Sequence, residues 1–383
     1  MRDMRSENML SNTLREPFKE FYHIFSKRRR IEQYKKNGRK IIGTICNNVP
    51  EEIIHSLGAV PVRLIGDYEN TPLANSKAPS WICSYARGVL EGGLSGDFNF
   101  VDGIVGATTD DTKLHLFSAY RFYVMPAFSY MVQFPYVNDE LSFEFFTKEL
   151  QRFAEKLSSF LSTNFSEERL LNSIKVYNEF RELCGELEEL RRADTPKITA
   201  SEWMSLMLAS TAMLKEEFNS MVSARLDELK ELDGMKDYRL RIHLSGTDFY
   251  HLGLLNLLEE SGAAVVSDDL CTSAGYYSGL VDGNGVESLA KRYMGCTACV
   301  MTAHPGKLSV EERLSFIWRK IDESGAEAIV ILKDRGCEVC GHQCPWIVME
   351  SELPVLVLDL DFPISMEQYR TRIEAFVEAH GGG

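Results

Sequence analysis

Two habits of apolar residues alternate along this chain. Short, nearly continuous apolar runs recur, and between them lie stretches whose apolar residues fall three and four apart. The first habit fits buried strands and the second amphipathic helices. Lys40-Ile41-Ile42-Gly43-Thr44-Ile45-Cys46 predicts a first strand, Ala59-Val60-Pro61-Val62-Arg63-Leu64-Ile65 a second, Val101 to Val105 a third and Tyr123-Val124-Met125 a fourth. Helices are predicted between them: one from Pro50-Glu51-Glu52 to Gly58, one from Cys83 to Leu94 ending at Gly92-Gly93, and one from Asp110 to Tyr120. Proline in a first turn, and carboxylates at the positive end of the peptide dipoles, favour such helix starts. Ahead of this region, residues 1 to about 35 carry Phe18, Phe21, Tyr22 and Phe25 at helical spacing.

From about 141 to 235 strand signals vanish. Lys148 to Leu161, Glu167 to Arg191 and Ala200 to Leu232 predict three amphipathic helices. From Tyr238 the alternation returns. Strands are predicted at Arg239 to Leu244, Ala263 to Ser267, Ala328 to Leu332 and Pro354 to Leu358. The helices there run from Ser245-Gly246-Thr247-Asp248 to Ser261, from Val310 to Ser324 and from Met366 to Ala379. Strand–helix alternation implies parallel sheets covered on both faces. The expected class is α/β, in four parts: residues 1–38 an N-terminal helical arm, 39–140 a first α/β domain, 141–236 a helical segment and 237–383 a second α/β domain. Ligands of such sheets sit outside the carboxyl ends of the strands, which gathers the loops after residues 46, 108, 244 and 332 toward one region.

Composition narrows the function. The chain has 383 residues, 44% hydrophobic and 26% charged, as in a soluble globular protein. No apolar run approaches the roughly 18 residues of a membrane span, and the N-terminus lacks the apolar core of a secretory signal. Nine cysteines without such a signal suggest the cytoplasm and not a disulfide framework. A net charge of −14 argues against nucleic acid as the main partner. Lys27-Arg28-Arg29-Arg30, the one basic run, reads as a solvated helix face. Neither G-x-x-x-x-G-K-[ST] nor G-x-G-x-x-G after a first strand occurs, so ATP hydrolysis is not expected of this chain.

Thiols are the candidate chemistry. Cys337-x-x-Cys340-x-x-x-Cys344 follows the run 328–332 on a stretch bearing Gly336 and Gly341. Thiolates so close together repel unless a cation sits among them, which points to a metal or an iron–sulfur cluster. Buried or redox-active thiols are the other reading. Cys83 opens a predicted helix, where free backbone N–H groups lower a thiol pKa and suit an anionic cluster. Cys296-x-x-Cys299 with Cys337-x-x-Cys340 makes two knuckles of the zinc type, although a helix and a strand lie between them. Cys46 and Cys271 follow strands and are weaker candidates, and Cys184 reads as packing. His342 reads as a proton donor or as an exposed loop residue. Ser245-Gly246-Thr247 reads as a phosphate or thioester-oxygen site at a helix start, or as a plain turn. Ser273 to Gly279 reads as a lid or a long connection. Glu51 and Glu52 read as complements of a helix dipole.

Several segments together resemble the 2-hydroxyacyl-CoA dehydratase and benzoyl-CoA reductase superfamily. They are Cys46-Asn47-Asn48-Val49-Pro50-Glu51-Glu52-Ile53-Ile54 with Gly58 to Leu64; Cys83-Ser84-Tyr85-Ala86-Arg87 with Val101 to Val105; Leu244-Ser245-Gly246 with Glu260 to Ala263 and Asp268 to Cys271; and Glu312-Arg313-Leu314 with the strand before Cys337 and Leu353 to Leu356. The resemblance implies two flavodoxin-like or Rossmann-like domains, a paired homologous or identical subunit and an iron–sulfur cluster between the domains. It implies an ATP-dependent activator protein that injects an electron. It also implies a lyase acting on an acyl-CoA thioester, in which a 2-hydroxyacyl-CoA loses water by way of a ketyl radical. A reductase of the benzoyl-CoA type, with a larger cluster, is the first alternative, and a noncatalytic zinc-stabilised subunit the second. In the family pattern one ligand follows the second strand, one opens the next helix and one follows a late strand. Cys83 and Cys337 match the first and third. The second falls in Thr108-Thr109-Asp110-Asp111, which holds no cysteine. The resemblance therefore implies a [4Fe-4S] cluster on Cys83 and Cys337, with Cys340 or Cys344, or both, replacing the missing ligand; a cluster of a different kind, or its loss from this subunit, are the other outcomes.

Overall fold

A computed structural model of the chain describes residues 13–79, 81–296 and 310–382. Two four-stranded parallel sheets organise it. The first is built from β1 (Ile41–Thr44), β2 (Val60–Arg63), β3 (Gly103–Ala107) and β4 (Phe128–Val132), in the order β2-β1-β3-β4. The second, from β5 (Leu240–Gly246), β6 (Ala263–Asp268), β7 (Ala328–Asp334) and β8 (Val355–Leu360), repeats that order as β6-β5-β7-β8. The α/β reading with two parallel sheets holds. In each sheet the chain leaves the central strand for one edge and returns to the other side, so β1/β3 and β5/β7 flank the crevices at which such sheets bind ligands.

The predicted strands agree with the structure except the fourth. Tyr123 ends the helix Asp111–Tyr123, and Met125 turns the chain at φ 52°. The strand follows at 128–132, paired Gly103↔Phe128 through Ala107↔Val132. The helix expected over 200–232 is three helices, Ala200–Thr211, Lys215–Ser223 and Leu226–Lys230, broken first at Leu214, extended at ψ 142°, and again at Arg225, at φ −116° and ψ 0°. The arm is likewise two helices, Phe18–Lys27 and Arg29–Lys36, broken at Arg28 with φ 50°. After β5 the helix starts only at Leu252, so 245–248 is strand end and loop, not a helix start.

The helices tie the two sheets together. Ala200–Thr211 is buried along its whole length and packs on Phe18–Lys27 and on Leu252–Glu260. The helix Gly285–Met294 crosses back: Leu289, Ala290, Tyr293 and Met294 join Ile42, Val105, Val132 and Phe146 in one apolar cluster on the first sheet. Glu51 and Glu52 are pinned in the same seam. Glu51 accepts from Tyr276 Oη at 2.7 Å and Tyr177 Oη at 3.2 Å. Glu52 accepts from Tyr293 Oη at 2.8 Å and pairs with Arg181. These carboxylates therefore join segments far apart in the chain instead of only complementing a dipole. Segment 273–279 is no lid: Ala274–Tyr277 forms a short helix, largely buried and held through Tyr276.

His243 on β5 has a pH consequence. It is fully buried, its Nδ1 meets Ser267 Oγ at 2.8 Å and its Nε2 has no partner. Burial, reinforced by Lys320, Arg313 and Arg191 and opposed by Asp268, drops its pKa from 6.5 to about 3. Below pH 6.5 the unfolded chain takes up a proton that the folded chain refuses, so stability falls with falling pH. The expected slope is about 1.4 kcal/mol per pH unit between 6.5 and 3. Urea titrations between pH 7 and 4 check it, because His243→Gln should flatten that part of the curve.

Candidate metal and substrate cleft

Two helix starts, one from each half, face a narrow cleft between the sheets. Cys83 is the N-cap of Ser84–Ser95, and Cys337 is the N-cap of Glu338–Glu350. Both line the cleft with Tyr85, Asp110, Thr112, Lys113, Thr247, Asp248, Cys271, Asp334, Glu338 and Val339. The loops after β3, β5 and β7 thus meet there, as the strand-end rule predicts.

Asp334, the last residue of β7, clamps the two starts together. It accepts from Ser84 N at 3.0 Å, from Ser84 Oγ, and from Gly336 N at 3.0 Å. Gly336 presses on the other loop: a Cβ there would lie 2.7 Å from Ile82 O and 2.8 Å from Cys83 N. Both near atoms are backbone and cannot swing away. Gly336→Ala is expected to force the loops apart and to destabilise by about 1–3 kcal/mol, read as a lower urea midpoint at unchanged slope.

The thiols differ in character. Cys83 is held well above its ordinary pKa by burial, with Asp334 and Cys337 adding to the effect. This corrects the expectation that its helix start lowers it: desolvation and neighbouring negative charge outweigh the dipole. Cys337 is lowered, chiefly by a hydrogen bond from the Cys340 thiol, with Thr247 and the Cys340 amide assisting. Its Sγ accepts from Cys340 N at 3.4 Å, and Thr247 Oγ1 lies 3.4 Å from it and 3.5 Å from Cys340 Sγ. Cys340 is raised correspondingly by its bond to Cys337 and by burial.

The other candidates are dispersed. Cys344 lies one turn beyond Cys340, in the apolar cluster with Ile329, Ile331 and Ile347; neither Cys340 nor Cys344 is among the residues lining the cleft. His342 is exposed on the same helix. Cys271 lines the cleft, whereas Cys46 contacts Thr109 Oγ1 at 3.4 Å. Cys184 is packing, fully buried in the main core. Cys296 is described, and Cys299 lies outside the described residues, as does that half of the zinc knuckle. Thr108 is spent on the backbone, accepting from Phe134 N at 2.8 Å, and Asp110 caps its helix through Lys113 N at 2.7 Å. Among the described residues no three His, Cys, Asp or Glu side chains stand grouped to hold a metal ion as they lie.

A buried charge network, not singled out from the sequence, forms one wall. Lys113 Nζ contacts Asp110 at 3.0 Å and Asp248 at 3.2 Å. Arg63 reaches Asp248 at 2.5 Å and donates to Asn47 Oδ1. Asn47 Nδ2 donates to Cys271 O at 2.8 Å. Burial opposes the charge on Lys113, yet Asp110 and Asp248 overcome it and hold the pKa well above its usual value. Burial likewise opposes the charge on Asp248, but Lys113 and Arg63 keep it low. The available signal was Arg63, a charge inside an otherwise apolar strand. Soft thiols at two helix starts suit a sulfur-ligated group, while the ammonium of Lys113 is balanced by Asp110 and Asp248 and the cleft lining adds Asp334 and Glu338. In donor type the described thiols fit an iron–sulfur cluster, and as they lie they are not drawn together around one.

A family model described as 2-hydroxyglutaryl-CoA dehydratase, D-component matches residues 46–379. The chain is 24% identical over 357 residues to the (R)-phenyllactyl-CoA dehydratase beta subunit of Clostridium sporogenes, covering 91% of this chain and 94% of that one. It is 24% identical over 366 residues to the (R)-2-hydroxyglutaryl-CoA dehydratase beta subunit of Acidaminococcus fermentans, with coverage of 91% and 94%. A benzoyl-CoA reductase subunit from Thauera aromatica is 24% identical over 307 residues, with coverage of 78% and 79%. No helix among the described residues is long and apolar enough to cross a membrane.

Proposed function

Because the chain belongs to the 2-hydroxyglutaryl-CoA dehydratase, D-component family, we propose that it is the iron–sulfur subunit of a cytoplasmic 2-hydroxyacyl-CoA dehydratase. It works beside a homologous or identical subunit and an ATP-dependent activator, and acts on an acyl-CoA thioester. One observation carries the reading: Cys83 and Cys337, from opposite halves, cap two helices that open on one cleft. Both candidate thiols thus line one cleft, and Thr247 touches Cys337 and Cys340 alike.

On this reading Cys83, Cys337 and Cys340 hold a [4Fe-4S] cluster, which when bound supplies the low-potential electron needed to expel the substrate hydroxyl group. Lys113, fixed by Asp110 and Asp248, offers an N–H donor in the cleft wall to the thioester oxygen, its charge balanced by those two carboxylates. Asp334 and Gly336 keep the two thiol-bearing turns in register. The participation of Cys344 is decided separately, since it packs one turn away: Cys344→Ser that keeps its iron leaves a three-thiolate set.

A second reading, a benzoyl-CoA-reductase-like subunit with a larger cluster, is favoured by one observation. Cys271 also lines the cleft and adds a thiol to the ligand set. Anaerobic purification with iron, acid-labile sulfide and zinc analysis tests both. About four iron atoms per chain with matching sulfide supports the single cluster, and about eight the larger one. Zinc without sulfide would overturn both in favour of a noncatalytic subunit.

A further inference from the structure

We propose that Cys337 and Cys340 form a reversible dithiol–disulfide pair, a thiol–disulfide exchange site that takes a small-molecule disulfide as its substrate in the cluster-free chain. The geometry is local. Cys337 stands outside the helix Glu338–Glu350 in extended backbone, at φ −92° and ψ 104°, and opens onto the cleft. Cys340, in the first turn, is buried at 4% exposure. The Cys340 amide donates to Cys337 Sγ at 3.4 Å, and the Cys340 thiol faces Thr247 Oγ1 at 3.5 Å and Leu332 O at 3.8 Å. Thr247 Oγ1 contacts both sulfurs from the facing loop. A partly exposed first cysteine at a helix start and a buried second one a turn later are the two parts that exchange requires: one sulfur to meet the reagent, one to resolve the product. Cys344, four residues further along, takes no part, because it sits in the apolar layer.

The exchange balances with a glutathione-type disulfide as oxidant. Cys337 as thiolate attacks one sulfur of the reagent, forms a mixed disulfide and releases the first thiolate. Cys340 loses its proton and attacks the Cys337 sulfur, which breaks the mixed bond and releases the second thiolate. The two cysteines give up two electrons, the reagent is reduced to two thiols, and the two cysteine protons pass to them. The consequence rests on the proposed ligand role of Cys337: the closed pair withdraws that sulfur from the cleft, so reduction must precede cluster loading.

The test uses the whole chain, purified in air and then reduced. It is mixed with oxidised glutathione, quenched in acid, alkylated and mapped by mass spectrometry, natively and in urea. The expected result is a Cys337–Cys340 link that dithiothreitol reverses. In the native chain the mixed disulfide should resolve at least about tenfold faster than in urea, because the second sulfur is already in place. In Cys340→Ser a stable glutathione adduct should remain on Cys337. A link from Cys337 to Cys83 or Cys271, a persistent adduct on the unsubstituted chain, or resolution no faster than in urea would overturn the proposal. The iron analysis above is a separate readout, so failure of the cluster reading leaves this result standing, and the reverse.

Discussion

Cys337→Ser is expected to lose nearly all bound iron and acid-labile sulfide, and with them the EPR signal of the dithionite-reduced protein, while the fold survives. Both halves of that expectation come from the same position. Cys337 is an N-cap whose side chain accepts the Cys340 amide at 3.4 Å. Serine is among the best residues for that role, so the helix start keeps its bond. A hydroxyl is nevertheless a poor ligand where iron favours sulfur. The variant should therefore keep its circular dichroism and its urea midpoint to within about 1 kcal/mol while its metal disappears. Iron retained at the wild-type level would remove Cys337 from the ligand set. Iron lost together with the fold would show that the position matters for stability first.

Asp248→Ala should have the largest effect on stability, about 3–5 kcal/mol. Asp248 is 5% exposed and answers two cations, Arg63 at 2.5 Å and Lys113 at 3.2 Å. Truncation leaves both buried charges to Asp110 and Asn47, the latter uncharged. Because Arg63 and Lys113 belong to the first half and Asp248 to the second, the loss falls on the joint between them. Urea unfolding followed by tryptophan fluorescence measures it, and a second, earlier transition is the expected form. Pairing Asp248→Leu with Arg63→Met should recover part of the loss, since apolar groups replace a buried pair more cheaply than one orphaned partner survives. A change below about 1 kcal/mol in the alanine variant would mean that water reaches these charges.

Strands that are buried on both faces announce themselves, and β1, β3 and β7 were legible for that reason. The fourth strand was not. Its residues Phe128 to Tyr130 are only half-buried at the sheet edge, while Tyr123 and Met125, large and apolar, stand exposed at 39% and 75% just before it. Those two residues imitate a strand where a helix ends. The approach of Cys83 to Cys337 was reachable only through the strand-end rule and the family resemblance. Cys344 shows the limit of spacing. Three and four residues apart, the three cysteines share a helix face, but each turn climbs about 5.4 Å: Cys337 lines the cleft, Cys340 lies behind it against Thr247, and Cys344 is carried into the apolar layer. Asp334 and Lys113 were overlooked because charges at strand and helix ends look solvated in sequence. Their burial depends on the partner half, which no local pattern contains.

The return of the helix Gly285–Met294 onto the first sheet also bears on how the protein is made. Its apolar contacts complete a layer whose other buried members, Val281 apart, end at Ile174. A ribosome adding 5–20 residues per second takes roughly ten seconds to cover that interval. For that time the nascent first half carries an open greasy face, and a chain arrested before residue 281 never covers it. Synthesis in this protein is thus ahead of folding by a large part of the molecule, and the late helix acts as the closing stitch.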